Sequence, residues 1–66
     1  MNNKIKVRRA MMDLTQEQLA NLVCVSRQTI NAMEANKYVP STVLAIKISR
    51  VFDCRVEDIF ELGEGD

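Results

Sequence analysis

Histidine is absent from this chain, and with it the side chain most often used for acid–base work near neutral pH. No nucleophile–base pair, glycine-rich phosphate loop or metal-ligand cluster takes its place. Glu57, Asp58 and Glu61 come nearest to a carboxylate site, but they are better explained as a complement to a helix dipole and a solvated face. The sequence therefore reads as a non-enzyme with no metal and no cofactor. Cysteine is scarce: Cys24 and Cys54 lie far apart and match no zinc spacing. In a reducing compartment they are expected to be buried small hydrophobes, with a redox-sensing thiol as the lesser alternative. No apolar run approaches the roughly 20 residues of a membrane span. Met1-Asn2-Asn3-Lys4 leads into no signal-like apolar stretch, so a cytoplasmic protein without membrane or small-molecule partner is expected. Two glycines and one proline leave room for helices joined by short connections.

What is present is an ordinary globular balance, 47% hydrophobic and 27% charged, which argues against disorder. The 66 residues suit one domain, 1–66, with 63–66 expected to fray. A domain this small buries only about 60% of its unfolded surface, so a partner subunit is expected. Net charge is zero, which taken alone argues against nucleic acid. The distribution argues for it. Residues 1–37 carry six basic against three acidic side chains, and residues 38–66 carry three against six. A phosphate backbone would be drawn to the basic front and repelled by the acidic tail.

Caps and apolar spacing mark five helices. The first runs from about Lys4 to Met12, with Asn2 or Asn3 as N-cap and an untidy stripe of Ile5, Val7, Met11 and Met12. The second, Gln16 to Val23, is announced by a Thr15–Gln18 capping box and a Leu14–Leu19 staple, and buries Leu19, Ala20 and Val23. Ser26 caps the third, stapled by Val25 and Ile30; it runs to about Ala35 and buries Ile30 and Met33. Asn36 suits the left-handed conformation that ends many helices. Past Tyr38-Val39-Pro40, the fourth runs from about Ser41 to Phe52 and buries Leu44, Ala45, Ile48 and Phe52. The fifth runs from about Val56 to Leu62.

Two stapled helices three residues apart must cross steeply, which is helix-turn-helix geometry at about residues 16–35. Ala20 is small enough to let the second of them come close. The stretches Leu14-Thr15-Gln16-Glu17-Gln18-Leu19-Ala20 and Val25-Ser26-Arg27-Gln28-Thr29-Ile30-Asn31 resemble the lambda repressor/Cro-like (XRE) family of helix-turn-helix regulators. The likeness continues through Glu34, Lys37-Tyr38, Pro40-Ser41 and Val56-Glu57-Asp58-Ile59-Phe60, and so covers nearly the whole chain. Within the family it is nearest to short stand-alone regulators.

The resemblance implies an all-α, five-helix domain whose third helix enters the major groove of double-stranded DNA. It places Arg27, Gln28, Asn31 and Ala32 against base edges. Arg can pair bidentately with guanine and Gln with adenine, while Ala32 can only touch a thymine methyl. Gln16, Thr29, Asn36, Lys37 and Tyr38 ring that face as phosphate contacts; at Gln16 the helix N-terminus itself favours an anion. Arg9 and Glu34 are implied to form an ion pair between the first and third helices. A homodimer is expected, with Ile59, Phe60 and Leu62 as its apolar patch and Ile46 and Val51 possible additions. The plainer alternative for Ile59 and Phe60 is closure of the monomer core.

Three departures from the family pattern stand out. Cys24 occupies a turn position where glycine is usual, Asp53 replaces another common glycine, and Arg8 stands where relatives are apolar. The competing function is a helix-turn-helix-derived protein-interaction module, antitoxin-like or an adaptor, with little DNA affinity. The acidic tail suits it; Arg27-Gln28 on the basic half speaks against it.

Overall fold

The computed structural model describes all 66 residues. Five helices form in chain order: α1 (Ile5–Met11), α2 (Gln16–Val23), α3 (Arg27–Glu34), α4 (Thr42–Val51) and α5 (Val56–Ile59). Two short strands, β1 (Asn2–Asn3) and β2 (Phe60–Glu61), pair antiparallel, with Asn2 opposite Glu61 and Asn3 opposite Phe60. No helix is long and apolar enough to cross a membrane.

Side chains start the helices as their spacing requires. The Gln18 N–H donates to Thr15 Oγ1 over 3.0 Å, and the Thr15 N–H donates back to Gln18 Oε1 over 2.9 Å. Each partner thus satisfies an orphan donor of the other. Ser26 Oγ accepts the Thr29 N–H, and Ser41 Oγ accepts the Leu44 N–H. At α1, Asn3 Oδ1 accepts the Ile5 N–H over 3.2 Å.

The first four helices stop in one way. Asp13, Cys24, Asn36 and Asp53 all take left-handed backbone conformations, at φ 56, 62, 59 and 52°. Beyond each, the next N–H reaches back five residues: Leu14 to Arg9, Val25 to Ala20, Lys37 to Ala32, and Cys54 to Ser49. These are Schellman closures built without glycine.

Twelve hydrophobic residues form one core, drawn from every helix and from β2. Leu19, Ala20 and Val23 of α2 meet Ile30 and Met33 of α3 and Leu44, Ala45 and Ile48 of α4. Ile5 alone represents α1; Val7, Met11 and Met12 are exposed, so most of its apolar stripe faces solvent. Every buried polar side-chain atom has a hydrogen-bond partner, including Ser49 Oγ, which donates to the Ile46 carbonyl.

Two expectations are corrected, the end of the fifth helix and the burial of the cysteines. The fifth helix does not reach Leu62. It ends at Ile59, because Phe60 turns extended and its backbone pairs with Asn3. At the end of the chain, the Asp66 carboxylate accepts the Gly63 N–H and lies 3.0 Å from the Met1 ammonium. The cysteines are not buried. Cys24 is exposed in the turn, and Cys54 is half-buried against the core.

Candidate nucleic-acid interface

Helical geometry turns successive residues by 100°, so Arg27, Asn31, Gln28 and Ala32 share an arc of about 140° on α3. Ile30 and Met33 occupy the opposite arc and are buried. Arg27, Gln28 and Asn31 are exposed, while Ala32 is half-buried. Packing of Ile30 and Met33 into the core therefore decides which way the polar arc faces. Neither Arg27 nor Gln28 has its side chain hydrogen-bonded within the domain, so both heads are available to a ligand.

The surrounding residues divide by how far they are engaged. Lys37 and Tyr38 are exposed just past the end of α3. Thr29 is half-buried, and its hydroxyl lies 3.0 Å from Ser26 Oγ. Asn36 Oδ1 accepts from Asn3 Nδ2 over 3.0 Å. Gln16 stands at the start of α2, but its side chain points toward α3: Nε2 donates to Asn31 Oδ1 over 3.2 Å and to Glu34 Oε1 over 3.3 Å.

Behind this face sits a two-pronged ion pair. Arg9 Nε donates to Glu34 Oε2 over 2.7 Å, and Arg9 Nη2 donates to Glu34 Oε1 over 2.9 Å. Arg9 Nη1 also donates to the Leu14 carbonyl over 2.8 Å, just past the end of α1. The two side chains are 14% and 8% exposed, so water screens them weakly. The Glu34 carboxylate, chiefly through its hydrogen bonds, holds the Arg9 guanidinium above its ordinary pKa against the opposing effect of burial.

On another side of the domain, α4, α5 and β2 leave two adjoining apolar grooves that share Met1, Val56 and Phe60. Ile46 lines one, and Leu62, 75% exposed, lines the other. Ile59 takes no part in this surface. At 1% exposure it closes the monomer core, which corrects its expected place in a subunit interface. Phe60 is also mostly core, at 9% exposure.

Two features of the site were not foreseen: the Asn3 bridge to α3 and the Gln16–Asn31–Glu34 cluster. The Asn3 partner on α3 lies 30 residues away, and no periodicity reports so distant a pairing. The sequence marks Gln16 and Asn31 as separate contacts. Their union depends on how α2 crosses α3.

A capped α2, a left-handed turn at Cys24 and a capped α3 with an exposed polar arc define a helix-turn-helix domain. The family model described as Helix-turn-helix matches residues 5–59, and the chain belongs to the XRE-type helix-turn-helix family. It is 55% identical over 60 residues to an uncharacterized HTH-type transcriptional regulator of Methanocaldococcus jannaschii, covering 91% of each chain. It is 47% identical over 64 residues to YgzD of Bacillus subtilis, also named as an uncharacterized HTH-type transcriptional regulator, covering 97% of each. A similarly named protein of Archaeoglobus fulgidus is 50% identical over 64 residues, covering 97% of this chain and 90% of the relative.

Proposed function

We propose that this chain is a sequence-specific DNA-binding transcriptional regulator that represses by occupying its operator, reading the major groove with α3 as a homodimer. The observation that carries this reading is the exposed Arg27–Gln28–Asn31 arc, held outward by burial of Ile30 and Met33. Relatives named as HTH-type transcriptional regulators over nearly their full lengths support it.

In this reading Arg27 pairs with guanine, Gln28 pairs with adenine, and Ala32 touches a thymine methyl. The backbone at Gln16, together with Thr29, Asn36, Lys37 and Tyr38, positions the helix on phosphates. One α3 spans too few base pairs for tight binding. Two copies related by a two-fold, joined through the groove that Phe60 and Leu62 border, would engage half-sites about 34 Å apart on the duplex.

Selection of bound sites from a random duplex pool tests the reading. The expected product is a two-fold-symmetric site with half-sites one helical turn apart, bound with an affinity that falls steeply with salt. Failure to bind any duplex at low salt would overturn it in favour of a protein-interaction module.

A further inference from the structure

We infer that Lys47 is a further DNA-backbone contact, holding a phosphate in a depression between the helix-turn-helix and α4. The inference rests on the DNA-reading role proposed for α3.

The depression, of about 220 Å3, lies between the turn that joins α2 to α3 and the start of α4. Cys24, Val25, Tyr38, Ser41, Val43 and Lys47 line it. Val25 immediately precedes Ser26, the cap of α3, and Tyr38 follows closely on Glu34, where that helix ends. The depression is therefore contiguous with the start of α3, where Arg27 and Gln28 stand free. Helical geometry sets which flank of α4 borders it. Leu44, Ala45, Ile48 and Ser49 are buried. On the exposed side, Lys47 lies about 100° around the axis from Ile46. Ile46 lines the apolar groove beside Phe60, whereas Lys47 and Val43 line the depression. α4 separates the groove proposed for a second copy from the depression beside the turn.

The chemistry of the depression suits a phosphate. No acidic side chain lines it. Lys47 is exposed and takes no part in the ion pairs of the domain, which are Met1–Asp66, Arg9–Glu34 and Arg55–Asp58. Residues 38–66 are otherwise acidic and hold three cations; Arg55 is paired and Arg50 lies outside the depression, which leaves Lys47. Side chains on a helix lean toward its N-terminus, so Lys47 leans along Val43 toward the first turn of α4. There Ser41 Oγ accepts the Leu44 N–H and the Ser41 carbonyl accepts the Ala45 N–H, while the Thr42 and Val43 N–H groups have no acceptor. A free ammonium and the positive end of a ten-residue helix act at the same place.

The test measures binding of the full chain to its selected duplex from about 50 to about 200 mM salt, for wild type, Lys47→Gln and Arg50→Gln. Loss of one phosphate contact lowers the slope of log K against log salt by about 0.9. Lys47→Gln should therefore bind more weakly at the low end, and its deficit should narrow about 3.5-fold by the high end. Its preferred bases should stay those of wild type, since a phosphate contact carries no sequence information. Arg50→Gln should keep the wild-type slope. A second readout needs no variant: saturating duplex should slow alkylation of the exposed Cys24 by iodoacetamide, because the bound backbone covers the depression that Cys24 lines. A wild-type slope in Lys47→Gln, an equal drop in Arg50→Gln, a changed base preference, or Cys24 reacting equally fast with duplex bound overturns the inference while leaving DNA reading intact. Failure of wild type to bind any duplex overturns both.

Discussion

The side-chain amide of Asn3 donates to the Met33 carbonyl over 2.7 Å, joining β1 to the last turn of α3. That carbonyl, at the end of the helix, also accepts the Asn36 N–H over 3.0 Å, so Asn3 supplies it with a second donor. The same nitrogen donates to Asn36 Oδ1, and Asn3 Oδ1 accepts the Ile5 N–H that opens α1. One side chain therefore serves the end of one helix and the beginning of another. Asn3→Ala should lower stability by about 1–2 kcal/mol in a urea melt, whereas Asn2→Ala, on an exposed side chain, should change it little.

The Arg9–Glu34 pair is the strongest electrostatic link between α1 and α3. Both oxygens of Glu34 are engaged, and Gln16 leans on one of them. Glu34→Gln leaves the shielded guanidinium short of its charge partner. The expected loss is about 2 kcal/mol, in the range for hydrogen bonds to charged groups. An unchanged melting temperature would show that the pair has no structural role.

Cys24 holds φ 62° and ψ 42° with a Cβ that this conformation disfavours. Glycine removes that penalty, which is on the order of 1 kcal/mol, and returns part of it as unfolded-state entropy. Cys24→Gly should therefore stabilise by several tenths of a kcal/mol, and Cys24→Val should destabilise. A drop in the melting temperature of the glycine variant would contradict the strain argument.

Asp58 gives a pH dependence of known sign. The Arg55 N–H donates to its carboxylate over 3.0 Å, and this bond, followed by the Arg55 side chain, holds the Asp58 pKa below its ordinary value. A carboxyl depressed in the folded state contributes stability above its unfolded pKa and loses it as pH falls through the folded one. The start of α5 should therefore weaken as pH drops below about 4. In Asp58→Asn the acid limb of a stability–pH profile should flatten; an unchanged profile would assign the acid loss elsewhere.

Leu62 is the most exposed large hydrophobic side chain and borders the apolar groove beside Phe60. Leu62→Glu should leave the fold intact, because the side chain is outside the core, yet shift a dimer toward monomer in sedimentation at micromolar concentration. Monomer alone for wild type at high micromolar concentration would rule out the homodimer.

Much of this architecture was legible because it is encoded over short distances. The Thr15–Gln18 box and the Ser26 cap bracket α2 and α3, and their apolar spacing names the residues that become core. The unusual turn conformation at Cys24 was also readable, since a family position that favours glycine implies positive φ. Asp13 adopts the same conformation with no sequence signal to mark it. The end of α5 was misplaced because Phe60 is as apolar as a helical residue would be. Its extended form depends on a strand partner at Asn3, on the far side of the sequence.

Local sequence determined where α2 and α3 begin, which of their faces turn inward, and hence that Arg27, Gln28 and Asn31 are left outside. Those outcomes depend on caps and helical periodicity, whose physical reach is one or two turns. Tertiary structure alone decided that Ile59 is sealed in the core, that Asn3 closes α3, and that Gln16 turns toward Asn31 and Glu34. Such contacts join residues 15 to 30 positions apart. They exist only once packing has set the helices against one another.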